Sequence, residues 1–307
     1  MKKFLTILMA VICVFSLCAV GFAASAAEAD ESARSSASAP PVSVGYDGLL
    51  NHWTVTAADN GKKYAFYSPV IDANDTTKYP VVIYIHGLFH GWTDKSFVKN
   101  GLVYWCGREM QDKFREGGAH LIAPKIPELT ITSAYDDEVM GIIKDYVSQN
   151  INNVDTEQIY IMGGSAGGGL AWKLIINNPD YFAKGVLLCA TGIVSADKAK
   201  KAANVPVWEV SANTDPLVNI LFQTATWNNV AKHSNVKDRC RWTRFSGQVT
   251  CPDGSHPFIS HFLAKTIGYN FCTVADKKMF SGMSTVNGNG ESVALSWDNS
   301  IVEWLQS

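Results

Sequence analysis

The chain has 307 residues, of which 47% are hydrophobic and 18% charged, and 26 Lys+Arg against 28 Asp+Glu leave a net charge of −2. A chain of this length and composition can bury a sizeable core. No basic excess marks a nucleic-acid binder, no acidic tract marks disorder, and 24 glycines and 11 prolines exclude a collagen-like or low-complexity chain.

Lys2-Lys3 precedes an apolar run from Phe4 to about Ala24, which ends in the small-x-small triplet Ala24-Ser25-Ala26. That order is a secretory signal peptide. The run is nearly long enough to be a membrane anchor, but the three regions in sequence favour cleavage. Leu17 before Cys18 argues against a lipid anchor, which wants a small residue there. Residues 1–26 are therefore expected to be a signal peptide, 27–43 a flexible Ala/Ser/Glu/Pro-rich leader, and 44–307 the folded domain. The mature protein is expected to be extracellular, with no stable membrane insertion. Losing Lys2 and Lys3, and no acid, takes the charge from −2 to −4. Five cysteines remain after cleavage: Cys106, Cys189, Cys240, Cys251 and Cys272. An odd count leaves at least one thiol. Cys189, in an apolar strand-like run, is the best candidate. Cys240 and Cys251 are close enough in sequence to staple one loop.

From Tyr46 on, strand-like and helix-like segments alternate. Residues 63–69 read as an early edge strand. Tyr79–Ile85 is a continuous apolar run, as in a strand buried on both faces. Residues 102–114 have helical spacing through Val103, Met110 and Phe114. Residues 119–123 are a short strand. Asp136–Gln149 is a helix with acids in its first turn and Val139, Ile142, Ile143, Tyr146 and Val147 on one face. Residues 158–162 form a strand, Ala166–Asn177 a helix, and 185–190 and 205–210 two further strands. Arg241–Phe245 reads as the last strand, and 257–267 and 300–305 as closing helices. The alternation predicts one α/β domain, a mostly parallel central sheet with helices on both faces. Ligands of such sheets sit at the carboxyl ends of the strands.

Three of those strand ends carry chemistry. After 158–162 comes Gly163-Gly164-Ser165-Ala166-Gly167-Gly168-Gly169, a G-x-S-x-G between a strand and a helix. The sharp turn strains the serine backbone, so its neighbours must lack bulk, and the helix start behind Ser165 offers N–H groups to an oxyanion. A phosphate loop would need a Gly-Lys-Ser/Thr end, and no lysine occurs before Lys173. After Tyr79–Ile85 comes His86-Gly87-Leu88-Phe89-His90-Gly91, whose loop can donate a second N–H. The oxyanion donors would be the N–H groups of Leu88 and Ala166. His86 reads as a structural hydrogen-bonding residue, and a zinc reading of His86 and His90 lacks further ligands nearby. After 205–210, Asp215 lies on a loop where the acid of a triad belongs, whereas Glu209 lies inside the strand. The base comes after the acid: His256, in the loop before Pro257, is preferred, with His261 as the alternative if the helix begins at Ser260. No metal or cofactor is called for.

Together these residues resemble the α/β-hydrolases of the secreted esterase and prolyl-oligopeptidase-like group, from about Tyr46 to the C-terminus. The resemblance rests on His86-Gly87, Val154-Asp155, the Gly-Gly-Ser-Ala-Gly turn, Asn178-Pro179-Asp180-Tyr181-Phe182, and the Trp208 strand leading to Asp215. The loop after His86 lacks the longer His-Gly-Gly-Gly run of many lipases. The resemblance implies a serine hydrolase acting on a small-molecule or polymer ester, or a peptide, through an acyl-enzyme on Ser165. An acyltransferase on the same triad, or a non-catalytic binding or adhesion protein, are the alternatives. Phe89, Trp92, Trp208 and Trp227 are candidates both for a pocket lining and for core.

Overall fold

The computed structural model describes residue 39 and residues 45–70, 74–88, 96–99, 102–126, 135–245, 283–295 and 301–307. Residues 1–26, expected to be a signal peptide, all of the expected leader 27–43 except Ala39, the segment 246–282 and residues 89–95 lie outside the described residues.

The strands are β1 (Thr54–Ala57), β2 (Lys63–Tyr67), β3 (Tyr79–Ile85), β4 (His120–Pro124), β5 (Val154–Gly164), β6 (Lys184–Leu188), β7 (Val207–Ala212), β8 (Arg241–Phe245) and β9 (Met283–Asn287). β3, β4, β6 and β7 are buried at every position. Strands with no exposed face belong inside a sheet covered on both sides. The sheet order is β1-β2-β4-β3-β5-β6-β7-β8-β9. β3 to β8 run parallel. β2 is antiparallel to both β1 and β4, and β9 is antiparallel to β8.

The helices are α1 (Gly45–Leu50), α2 (Ser96–Lys99), α3 (Arg108–Gln111), α4 (Asp136–Gln149), α5 (Ala166–Asn177), α6 (Ala196–Lys201), α7 (Ile220–His233) and α8 (Ile301–Leu305), with a 3₁₀ turn at Val103–Cys106. Period-two alternation divides the core between the sheet faces. Val82 and Tyr84 of β3 join Leu49, Phe97, Trp105, Met110 and Trp304. Val81, Ile83 and Ile85 join Ile143, Leu174, Ala199 and Trp227. Thus α4 to α7 cover one face, and α1 to α3 with α8 cover the other.

Several boundaries differ from the sequence expectation, each for a local reason. β2 is not an edge, because β1 pairs outside it; β1 is half exposed and threonine-rich, so it carries little apolar signal. The helix expected over 102–114 is split at Gly107, whose extended backbone (φ −70°, ψ 149°) ends the 3₁₀ turn and begins α3. β5 starts four residues early, since Val154 pairs with Tyr79 across an irregularity in β3. β7 starts only after Pro206, which has no N–H for the ladder. β9 follows β8, so Arg241–Phe245 is not the last strand.

Cys106, Cys189 and Cys240 are all buried. Cys240 is a free thiol whose Sγ lies 3.5 Å from Ser234 Oγ, so the Cys240–Cys251 staple is not formed. Burial pushes the Cys106 thiol up to about 12. Cys251 and Cys272 lie outside the described residues.

Candidate active site

Ser165 stands between β5 and α5, with φ 58° and ψ −123°. An L-residue holds such a backbone only where its surroundings enforce it, at a cost of about 1–3 kcal/mol. Here three backbone hydrogen bonds do so. Ser165 N–H donates to Leu188 O (2.8 Å), and its carbonyl accepts from Gly169 N–H (3.1 Å) and Thr191 N–H (3.0 Å). The turn is therefore tied to the end of β6 as well as to its own helix. The flanking glycines are required by contact. A Cβ on Gly163 would meet Gly167 O at 2.4 Å, and a Cβ on Gly167 would meet Ile85 O at 2.2 Å and His86 O at 2.3 Å. The side chain of Ser165 is half-buried at the head of α5.

The approach of Gly167 to Ile85 and His86 sets the end of β3 against the first turn of α5. Of the two expected oxyanion donors, Leu88 follows β3 and is exposed, and Ala166 opens α5 and is buried. His86 is fixed as a strut. Its Nε2 accepts from Ile126 N–H (3.0 Å), so the proton sits on Nδ1, which donates to Gly87 O (2.7 Å). His90, the other half of the zinc reading, lies outside the described residues.

Asp215 follows β7 at the same edge of the sheet. With β6 between β5 and β7, the serine and aspartate strands are separated by about 10 Å of sheet. Asp215 is buried, and its Oδ1 accepts from Leu217 N–H (2.8 Å) and Val218 N–H (2.9 Å), an Asx turn that fixes the carboxylate. His256 and His261 both fall in the segment outside the described residues. Of the aromatic candidates, Trp208 and Trp227 are core, and Phe89 and Trp92 are outside the described residues.

One feature of the site region escapes a sequence scan. Glu209 is wholly buried in β7, and its Oε1 accepts from Trp172 Nε1 of α5 at 3.2 Å. A lone acid in an apolar strand is the only sequence signal it leaves. Burial raises its carboxyl from the ordinary 4.5 to about 8. The folded state therefore holds a proton that the unfolded chain has released between those two values, so stability falls as pH rises through that window. We expect Glu209→Gln to remove that slope. The variant should gain up to a few kcal/mol over wild type above about pH 8 and nothing below about pH 4.5. Urea unfolding at several pH values measures this, and parallel pH profiles for the two proteins would contradict it.

Residues 80–225 match the family described as alpha/beta hydrolase fold. Among solved structures, a thermostable esterase is similar at 22% identity with a TM-score of 0.58, over 71% of this chain and 60% of that one. The chain thus spans 60% of the length of that esterase. A thermophilic esterase from the Planctomycetes species Thermogutta terrifontis is similar at 16% identity and a TM-score of 0.48, over 64% of this chain and 82% of that one. No curated protein matches. The sheet order, the strained serine turn and the family match define an α/β-hydrolase fold, a mostly parallel sheet with helices on both faces.

Proposed function

We propose that the protein is an exported serine hydrolase that cleaves esters through an acyl-enzyme on Ser165. The observation that carries this reading is the backbone of Ser165, held at φ 58° by β6 and α5 at the head of a helix. Ser165 Oγ attacks the ester carbonyl while His256, or His261 in its place, takes the hydroxyl proton. Leu88 N–H and Ala166 N–H receive the charge that develops on the carbonyl oxygen. The proton passes to the leaving alcohol as the C–O bond breaks. Water then repeats the attack on the acyl-enzyme, and the same histidine activates it. Asp215, pinned by its own turn, orients the imidazole. The Lys2-Lys3, apolar-run, Ala24-Ser25-Ala26 order supports export.

The rim supports esters over peptides. Six large hydrophobic residues are exposed among the described residues: Leu88, Ile151, Ile193, Leu217, Leu221 and Phe222. All but Ile151 come in the chain after β3, β6 or β7, the strands whose carboxyl ends lie on the same side of the sheet as that of β5. No Asp, Glu, Lys, Arg or His occurs between Lys184 and Asp197, or between Asp215 and Lys232. An uncharged apolar rim suits a neutral ester with an apolar side.

A fluorophosphonate probe should label Ser165, and a short-to-long acyl ester series should be turned over faster than a proline-containing peptide series. No labelling and no ester turnover would refute the reading. Kinetics of two single variants assign the base. His256→Ala should lower kcat by about 10⁴-fold or more with little change in KM, and His261→Ala should cost little. The reverse pattern would move the role to His261.

A further inference from the structure

Glu209 joins the two elements that carry the nucleophile and the acid. On one side it accepts from Trp172 of α5, the helix capped by Ser165. Its second oxygen, Oε2, has no hydrogen-bond partner among the described residues. Glu209 also forms part of the wall of a cavity of about 10 Å³, with Trp172, Leu187, Gly192, Gln223 and Thr226. That volume holds one water molecule when polar groups surround it, and Glu209, Gln223 and Thr226 supply them.

Gln223 is tied in turn to the acid. Its Oε1 accepts from Ser211 Oγ (2.5 Å) and its Nε2 donates to Val218 O (3.4 Å). Val218 N–H donates to Asp215 Oδ1 (2.9 Å). Trp242 Nε1 completes the chain by donating to Ser211 Oγ (3.0 Å). Among the described residues, no charged or titratable side chain other than Glu209 lines the cavity from α5, β6, the loop after β6 or α7. In the neighbouring strands, the residues paired with Glu209 are Leu187 and Trp242.

We propose that Glu209 is a positioning residue: as a neutral carboxylic acid it binds one buried water together with Gln223 and Thr226, and so holds the Asp215 turn in register with the serine helix. This rests on the serine-hydrolase reading above. The neutral acid accepts from Trp172 through one oxygen and donates its O–H to the water. When the proton leaves to solvent, the carboxylate is left away from bulk water, with Trp172 Nε1 donating to Oε1 and no second donor at Oε2 among the described residues. The Gln223 amide is then drawn away from Ser211 and Val218, and the Asp215 turn loses a tie. Burial raises this carboxyl to about 8, so the change of state falls on the alkaline side of neutrality.

The test is the pH dependence of kcat and KM on a soluble ester for wild type, Glu209→Gln and Glu209→Ala. In wild type, kcat should fall about tenfold as Glu209 ionises, while KM holds. Glu209→Ala should lower kcat about tenfold or more at neutral pH. Glu209→Gln, which stays neutral, should restore most of that kcat and lack the alkaline fall. An alkaline fall in Glu209→Gln that matches wild type would overturn the proposal, as would equal losses in the two variants. Infrared spectroscopy on the wild-type protein needs no variant to fold. A protonated-carboxyl carbonyl band should be present at about pH 6, where ordinary carboxylates are ionised, and should vanish with the same midpoint as kcat. Its absence at that pH overturns the proposal. Wild type that turns over no ester refutes the hydrolase reading and this proposal with it. Turnover with an unchanged alkaline limb in Glu209→Gln refutes the role of Glu209 alone.

Discussion

Ser165→Ala should lower ester turnover by about 10⁵–10⁶-fold, the loss seen when a triad nucleophile is removed. The fold should survive, because the forces that hold this turn are backbone bonds. Ser165 N–H to Leu188 O, and Gly169 and Thr191 N–H to Ser165 O, are all kept in the alanine variant. Alanine also meets the same strain at φ 58° as serine. The variant should therefore unfold at nearly the wild-type urea concentration while failing to react with a fluorophosphonate. Turnover within tenfold of wild type would remove Ser165 from the mechanism, whatever the backbone shape.

Gly167→Ala should damage both stability and activity. The new methyl would stand 2.2 Å from Ile85 O and 2.3 Å from His86 O. Both obstacles are backbone at the end of β3, and neither can swing aside as a side chain could. Either α5 or the end of β3 has to shift, at a cost of about 3 kcal/mol. The shift separates Ala166 from Leu88, the two expected oxyanion donors, so kcat should fall about a hundredfold in whatever fraction folds. Urea unfolding gives the first number and active-site-titrated kinetics the second. Gly61 makes the contrast: a Cβ there meets nothing within 4 Å, and its substitution is resisted only by its positive φ of 74°. Wild-type stability in Gly167→Ala would mean that β3 and α5 are not packed as described.

How much of this was legible beforehand varied with the range of the forces involved. Asp136–Gln149 and Ala166–Asn177 have the bounds expected of them. α4 has three acids in its first turn and a clear apolar face, so its limits are written locally. α5 follows directly from the glycine turn. α7 was not foreseen, although it is as long as α4. Its residues are rich in Asn and Thr, which favour caps and turns over helix interiors. It is held instead by the Asn219 side chain capping Leu221 N–H and by burying Gln223, Thr226, Trp227 and Val230. The candidate site divides in the same way. Ser165, Leu88, Ala166 and Asp215 all lie at strand ends on one edge of the sheet, while His256 and His261 fall outside the described residues.

Short-range sterics and solvation write some parts of this fold directly into the residues. These are the apolar run of β3, the strand–turn–helix around Ser165 with its obligatory glycines, and the apolar face of α4. Each follows from contacts within a few residues, or from a periodicity that has only one way to bury itself. Which strands neighbour one another is settled by long-range pairing. It put β1 outside β2 and β9 outside β8, because ladder pairing is a contract with a distant partner that no local pattern encodes. Tertiary packing also decided the state of Glu209. In sequence that residue is an acid in a strand; packed against Trp172 and beside Gln223 and Thr226 of α7 it is cut off from bulk solvent, and burial favours its neutral form at pH values where an exposed carboxyl is charged.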